Sequence, residues 1–225
     1  MKSSDDERQL LSLIAHELRS PGAVVAGYLR LLRKETGDLP ERTRRMIEEA
    51  DRSCARVLQL VKELSELSEL AASDALVSGV PVAVFPLCDE VVRAASSAGS
   101  PATFSCDPED QATLVQGDAN RLKRAFAALM AAALRERGTQ SLEIHGFVGR
   151  DAAVPEAVIA LGDPGLALRR DKVLNDRPLS FDRWRGGTGL SVPIACRILE
   201  GHGGRIWSLP RDSRGACALS LPAES

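Results

Sequence analysis

Leu13-Ile14-Ala15-His16-Glu17-Leu18-Arg19-Ser20-Pro21 is the stretch on which the reading of this chain turns. Leu11, Ile14, Leu18, Val25, Tyr28 and Leu32 recur at helical spacing, which predicts an amphipathic helix from about Glu7 to Glu35. His16 therefore sits on a helix with a carboxylate beside it. A neutral imidazole is a nucleophile near neutral pH, and Glu17 can hold or accept the proton on the second ring nitrogen. Pro21 removes a backbone donor and bends the helix about one turn further on. Ser20 lies four residues after His16, on the same face.

Working outward, Gly37-Asp38-Leu39-Pro40 supplies a turn, and Pro40 is well placed to start a second helix. Met46, Ala50, Ser53, Val57, Leu60, Leu64, Leu67 and Ala71 then alternate steps of four and three, a heptad seam. A lone hairpin cannot bury such seams on both helices, so a homodimer closing a four-helix bundle is expected. Ala72 to Gly79 lacks strong periodicity and reads as a linker. Beyond it short strands and helices alternate. Strands are expected at Val82–Phe85, Leu142–Val148, Ala157–Leu161, Arg205–Leu209 and Ala216–Leu221. Helices are expected at Pro86–Ser96, Asp118–Arg137, with Asp118 as cap, and Thr188–Glu200. The fold class is α+β: a dimerising helical hairpin over 1–72, a linker over 73–80, and an α/β sandwich over 81–225.

The bulk numbers exclude several classes. A net charge of −2 gives no basic surplus for nucleic acid or an anionic membrane. Five scattered cysteines without Cys-x-x-Cys or His/Cys ligand spacing point to free thiols, not a disulfide framework or a zinc site. No metal site is expected from them. The polar N-terminus is unlike a signal peptide, and no apolar run reaches about 18 residues. The expectation is a cytoplasmic chain without direct membrane contact, its sensory part absent or carried by another protein.

His16-Glu-Leu-Arg-Ser-Pro21 resembles the phospho-accepting box of the sensor histidine kinases of two-component signalling, and later motifs follow in that family's order. The resemblance implies that His16 is the phosphoryl acceptor and that a response-regulator receiver domain is the partner. It also implies that the Ser20 hydroxyl can help dephosphorylate that partner. Gly22 stands where the family has a hydrophobic residue after the proline, which is expected to loosen the first helix. The receiver is expected to seat near Val25, Tyr28 and Leu29 and the Arg52–Arg56 stretch.

Residues 81–225 resemble the ATP-binding domain of the same kinases, with departures. Aligned on Asp118 and Arg121-Leu122, the helix that carries two asparagines in the family has Ala128 and Ala132 in their places. The second asparagine helps hold magnesium, and a methyl group cannot ligate a hard cation. Anchoring Leu161-Gly162-Asp163-Pro164-Gly165-Leu166 on Pro164-Gly165 puts Leu161 where the adenine-reading aspartate belongs, although a slip would bring Asp163 into use. Asp-Pro-Gly also encodes a turn without any nucleotide. Gly187-Thr188-Gly189 resembles the phosphate loop whose backbone amides cradle phosphate. Gly165, Gly187, Thr188 and Gly189 are thus the candidate cofactor residues, for ATP and magnesium if that site works. Only Arg185 and Gly186 separate Trp184 from the loop, so the lid reads as short. His145 and His202 read as structural.

Three functions remain open at this point. The first is phosphoryl transfer between His16 and receiver aspartates, as in a phosphorelay, with an impaired ATP site. The second is an active ATP-dependent sensor histidine kinase. The third is a non-catalytic dimeric scaffold that binds a receiver domain.

Overall fold

The computed structural model describes residues 2–34, 39–72, 79–150, 154–162, 170–175, 181, 190–209 and 216–224. They belong to two compact units, Met1–Ser73 and Asp74–Ser225.

In the first unit α1 (Lys2–Lys34) and α2 (Glu41–Ala72) form an antiparallel hairpin. The Pro40 carbonyl accepts from the N–H groups of Thr43 and Arg44, so the helix begins directly after the proline. Arg33 bonds Asp51 at 2.6 Å near the turn and Arg19 bonds Ser65 at 2.8 Å near the far end. These cross-links fix which residues face each other within the chain. On α1 the facing row is Ala15, Arg19, Gly22, Ala26, Leu29 and Arg33. On α2 it is Ile47, Asp51, Cys54, Leu58, Val61, Ser65 and Ser68.

That row is one residue away from the seam expected on α2. Met46, Val57 and Leu60 of the expected seam stay exposed, as do Ile14, Leu18, Val25, Tyr28 and Leu32 of α1. Rows one residue apart lie about 100° around a helix. In an antiparallel pair, the rows preceding the two facing rows fall on one side of the hairpin, and the rows following them on the other. The exposed apolar residues therefore make one continuous face, and His16 lies on the opposite side.

The second unit holds a two-stranded antiparallel sheet, β1 (Val80–Ala83) with β3 (Leu114–Gly117), and a five-stranded sheet in the order β2-β4-β5-β7-β6. In the larger sheet β2 (Ala102–Cys106) runs parallel to β4 (Leu142–Gly149). β4, β5 (Glu156–Gly162), β7 (Cys217–Pro222) and β6 (Arg205–Ser208) continue antiparallel. Its helices are α3 (Val84–Ser97), α4 (Ala119–Arg137), α5 (Arg170–Asn175) and α6 (Ser191–Gly201). The helix expected from Pro86 starts at Val84, whose N–H is taken by Thr113, so the preceding strand ends at Ala83.

Both faces of the central strands are covered, which is why β5 reads as the unbroken apolar run Ala157-Val-Ile-Ala-Leu161. Phe85 of α3 packs over Gly146, where a Cβ would come within 2.5 Å of its ring. On the opposite face Phe147, Val158, Ala160, Trp207 and Ala218 pack with Val173 of α5, and the Trp207 indole N–H donates to the Val173 carbonyl at 3.0 Å. Asp110, only 1% exposed, accepts from the Val148 N–H at 2.7 Å and from Arg150 at 2.6 Å, tying the turn after β2 to the end of β4.

Asp118 caps α4 as expected, its carboxylate accepting from the N–H groups of Asn120 and Arg121. Its own N–H donates to His202 Nε2 at 3.1 Å. The ring proton is thereby assigned to Nδ1, which donates to the Ile198 carbonyl at 2.7 Å. His202 thus joins the end of α6 to the start of α4, and a Cβ on Gly117 would lie 2.5 Å from its ring. Gly117→Ala should cost about 1–3 kcal/mol by overpacking. His202→Ala should cost a similar amount by leaving the part-buried Asp118 N–H without its partner. Urea unfolding should find the double variant less destabilised than the sum, since the clash goes with the ring. Strict additivity would contradict this account.

All five cysteines are free: Cys88, Cys196 and Cys217 are buried, and Cys54 and Cys106 are half-buried. Burial pushes the Cys88 thiol well up, helped by Cys106 and Asp89. Burial, then Asp110 and Asp107, raises Cys106 to about 11. Both are neutral thiols near pH 7, not nucleophiles.

Candidate functional site

His16 is 78% exposed at its side chain and Glu17 72%, and Nδ1 lies 3.5 Å from the Glu17 carboxylate. In a neutral ring with its proton on Nδ1, that N–H lies beside Glu17 at a separation longer than a hydrogen bond. Nε2 is left with its lone pair towards solvent. Ser20 is exposed one turn along the same face. α1 continues through Pro21, whose missing N–H deprives the Glu17 carbonyl of its helical partner. The helix is thus weakened at the residue beside the histidine.

Gly22 has a packing role besides its low helix propensity. A Cβ there would lie 2.6 Å from Leu58, and its carbonyl accepts a weak bond from the Cys54 thiol at 3.6 Å. The glycine leaves room for the Leu58 side chain of α2 just below the proline. Val25 and Tyr28, expected beside the docking face, lie on the apolar side away from His16, and Leu29 lies in the facing row. On the His16 side α1 carries Ser20, Ala23, Gly27 and Arg30, with Val24 and Leu31 exposed one row further round. From α2 the same side receives Arg52, Ala55, Gln59, Lys62 and Glu66.

The other two histidines are closed. His145, 3% exposed, has Nδ1 3.0 Å from the Ser105 hydroxyl and Nε2 3.4 Å from Asp107, and it stacks on Phe147. His202 is buried with both nitrogens engaged. His16 is the one imidazole open to a reaction partner. The Arg19–Ser65 contact beside it links residues 46 apart, which no local pattern announces.

In the second unit Leu161 is fully buried on the face of the sheet where α3 packs, opposite Cys217 in register. Ala132 is buried and Ala128 half-buried on α4. These positions present methyl and isobutyl groups. Gly165, Gly187, Thr188 and Gly189, the alternative Asp163, and the lid segment 182–189 lie outside the described residues. Among the described residues no three His, Cys, Asp or Glu side chains converge to hold a metal ion.

The family model of the His Kinase A (phospho-acceptor) domain matches residues 6–73, the hairpin with its open histidine. The chain has a sensor histidine kinase core. That core resembles Sensor protein kinase WalK of Staphylococcus epidermidis, 24% identical over 97% of this chain and 37% of that protein. The protein of the same name from Staphylococcus saprophyticus is 23% identical over the same shares. The chain therefore spans a little over a third of the length of these curated relatives. Among solved structures, full-length ShkA in complex with AMPPNP superposes with a TM-score of 0.67, at 20% identity, over 96% of this chain and 46% of that one. The histidine kinase AdeS of Acinetobacter baumannii gives 0.56, at 17% identity, over 93% and 98%. These likenesses establish the fold: a phospho-acceptor hairpin followed by an α/β domain of the histidine kinase ATPase type. Among the described residues no helix of the kinase core is long and apolar enough to cross a membrane.

Proposed function

We propose that this chain passes phosphoryl groups between His16 and the aspartate of a response-regulator receiver domain, acting as a homodimer, with an ATP site too depleted to drive the reaction. The observation that carries the reading is His16 itself, the single imidazole with an open nitrogen and a carboxylate beside the other. In transfer from the receiver, the acyl-phosphate P–O bond breaks and a P–N bond forms at Nε2. Glu17 takes the Nδ1 proton and the receiver regains its carboxylate. The reverse path returns each group. The receiver's aspartate must come within about 3–3.5 Å of Nε2. It therefore seats on the His16 side of the hairpin, over Ser20, Ala23 and Gly27 with Val24 and Leu31 at its edge. Ser20 is placed to orient water on the receiver's phosphoryl group.

The nucleotide side supports the second half of the proposal. A hard cation demands oxygen ligands, and Ala128, Ala132 and Leu161 offer none. These residues do not fit magnesium-ATP. Calorimetry with magnesium and ATP should find no affinity tighter than about 1 mM. Micromolar, magnesium-dependent binding would instead establish an ATP-driven kinase, the reading favoured by the superposition on the AMPPNP complex. Leu161→Asp with Ala132→Asn should not restore binding, because it puts a carboxylate where Leu161 is wholly enclosed. The deciding experiment offers the chain a phosphorylated receiver domain and, separately, magnesium-ATP, each beside His16→Ala. Label from the receiver alone supports the proposal, label from ATP replaces it with the kinase, and label from neither leaves a scaffold.

A further inference from the structure

Arg19 follows His16 by three residues, so their Cβ atoms lie about 5–6 Å apart on neighbouring rows of α1. His16 projects from the row just beyond the one that faces α2, and Arg19 belongs to the facing row itself. The guanidinium is therefore held between the histidine and the second helix. There Nη2 donates to the Ser65 hydroxyl at 2.8 Å. That hydroxyl spends its own proton on the Val61 carbonyl, at 3.2 Å, and so turns a lone pair towards the arginine. One of the five guanidinium N–H donors is occupied in this way.

We propose that Arg19 is a phosphoryl-holding residue: once a phosphoryl group is on His16 Nε2, the Arg19 guanidinium leaves Ser65 and grips its oxygens. The inference rests on the reading of His16 as the phosphoryl acceptor. Its chemistry is that of a planar fork matched to phosphate oxygens, parked one turn away on a neutral hydroxyl that competes weakly for it. The exchange replaces a neutral acceptor by a dianion. The charged groups around the phosphoryl group are Glu17 and Arg19 on α1, and Lys62 and Glu66 on α2. Glu17 repels it. Lys62 and Glu66 lie on the same side of α2 as the histidine and carry opposite signs. Arg19 is the nearest cation along α1. Holding the group as its dianion also keeps protons off it, and a phosphorylated imidazole is lost fastest in acid.

The test uses potassium phosphoramidate on the full chain. The His16 Nε2 lone pair takes the phosphoryl group, the donor's P–N bond breaks, and ammonia leaves while the Nδ1 proton goes to Glu17 or solvent. Phosphorus NMR then follows the second ionisation of the bound group with pH. A nearby cation favours the dianion and lowers the midpoint. Arg19→Gln should raise it by about 0.5 unit, and shorten the lifetime at pH values above the midpoint roughly threefold, as that shift implies. Arg19→Lys should recover most of the shift, and Lys62→Gln should move the midpoint less than Arg19→Gln. Ser65→Ala separates the proposal from a purely structural role. It removes the same resting contact, and its midpoint should equal that of the unchanged chain. Equal behaviour of Ser65→Ala and Arg19→Gln, or a midpoint unmoved by Arg19→Gln, overturns the inference. Failure of phosphoramidate to label His16 overturns this inference and the reading beneath it. Labelling with the expected shifts but no exchange with any receiver leaves Arg19 its role and overturns only the transfer reading.

Discussion

His16→Ala should remove all acid-labile, base-stable phosphate from the chain, whichever donor supplies it. The expectation is absolute because the alternatives are closed. His145 is enclosed between Ser105, Asp107 and Phe147, and His202 spends both nitrogens on Asp118 and Ile198. Neither can meet a phosphoryl donor without unfolding its surroundings. The substitution should leave the hairpin intact, since the side chain is largely in solvent. Glu17→Gln is the graded companion. It keeps the volume but removes the proton acceptor on Nδ1, and should slow transfer by roughly 10²-fold, the low end for general base catalysis. The low end is apt because the pair is exposed and 3.5 Å apart, so it must close before it works. The check is acid quenching of label on the three chains side by side. Label that persists in His16→Ala, or that resists mild acid, would move the chemistry to another residue.

The hairpin and the histidine were legible in the sequence because both rest on local pattern. Helical periodicity survives over two helices of 33 and 32 residues, and His16-Glu17 is framed by residues whose spacing alone places them on one helix. The orientation of α2 was not legible. Met46 and Ile47, Val57 and Leu58, and Leu60 and Val61 are adjacent apolar pairs, so two rows one residue apart carry the same heptad signal. Which row faces α1 is settled by partners far away in sequence, such as Gly22, whose missing side chain admits Leu58. The same limit explains β3 and α5. With four and six residues they are too short for a period to register, and they exist through tertiary partners such as β1 and Trp207. Asp110 and Arg150 are likewise unremarkable as letters, and their pairing appears only when the turn after β2 closes on β4. In the nucleotide domain the sequence identified which side chains replace polar ones. The structure added that Leu161 is wholly enclosed, which makes simple reversal costly.

Val57→Asp should turn the dimer into folded monomers, and Leu58→Asp should unfold the hairpin. Neighbouring residues are expected to fail differently because they stand on rows about 100° apart. Leu58 meets the Gly22 backbone inside one chain, where a carboxylate finds no partner and its burial costs several kcal/mol. Val57 is 50% exposed in the single chain and belongs to the continuous apolar face with Met46, Leu60, Ile14, Leu18, Val25, Tyr28 and Leu32. A monomer would leave that face wet, far beyond the scattered apolar residues of an ordinary surface. Pairing two copies across a twofold axis covers it on both, and the symmetry brings the introduced carboxylate into the interface twice. A loss of several kcal/mol per interface corresponds to at least about a 10²-fold weaker dimer. His16 lies on the opposite side of the hairpin, so the monomer should still be chemically phosphorylated by phosphoramidate. Light scattering and circular dichroism at micromolar concentration give the two readouts together. Monomers with full helicity for Val57→Asp and lost helicity for Leu58→Asp are the expected pair. A stable wild-type monomer, or a dimer indifferent to Val57→Asp, would mean that something other than a second copy covers this face.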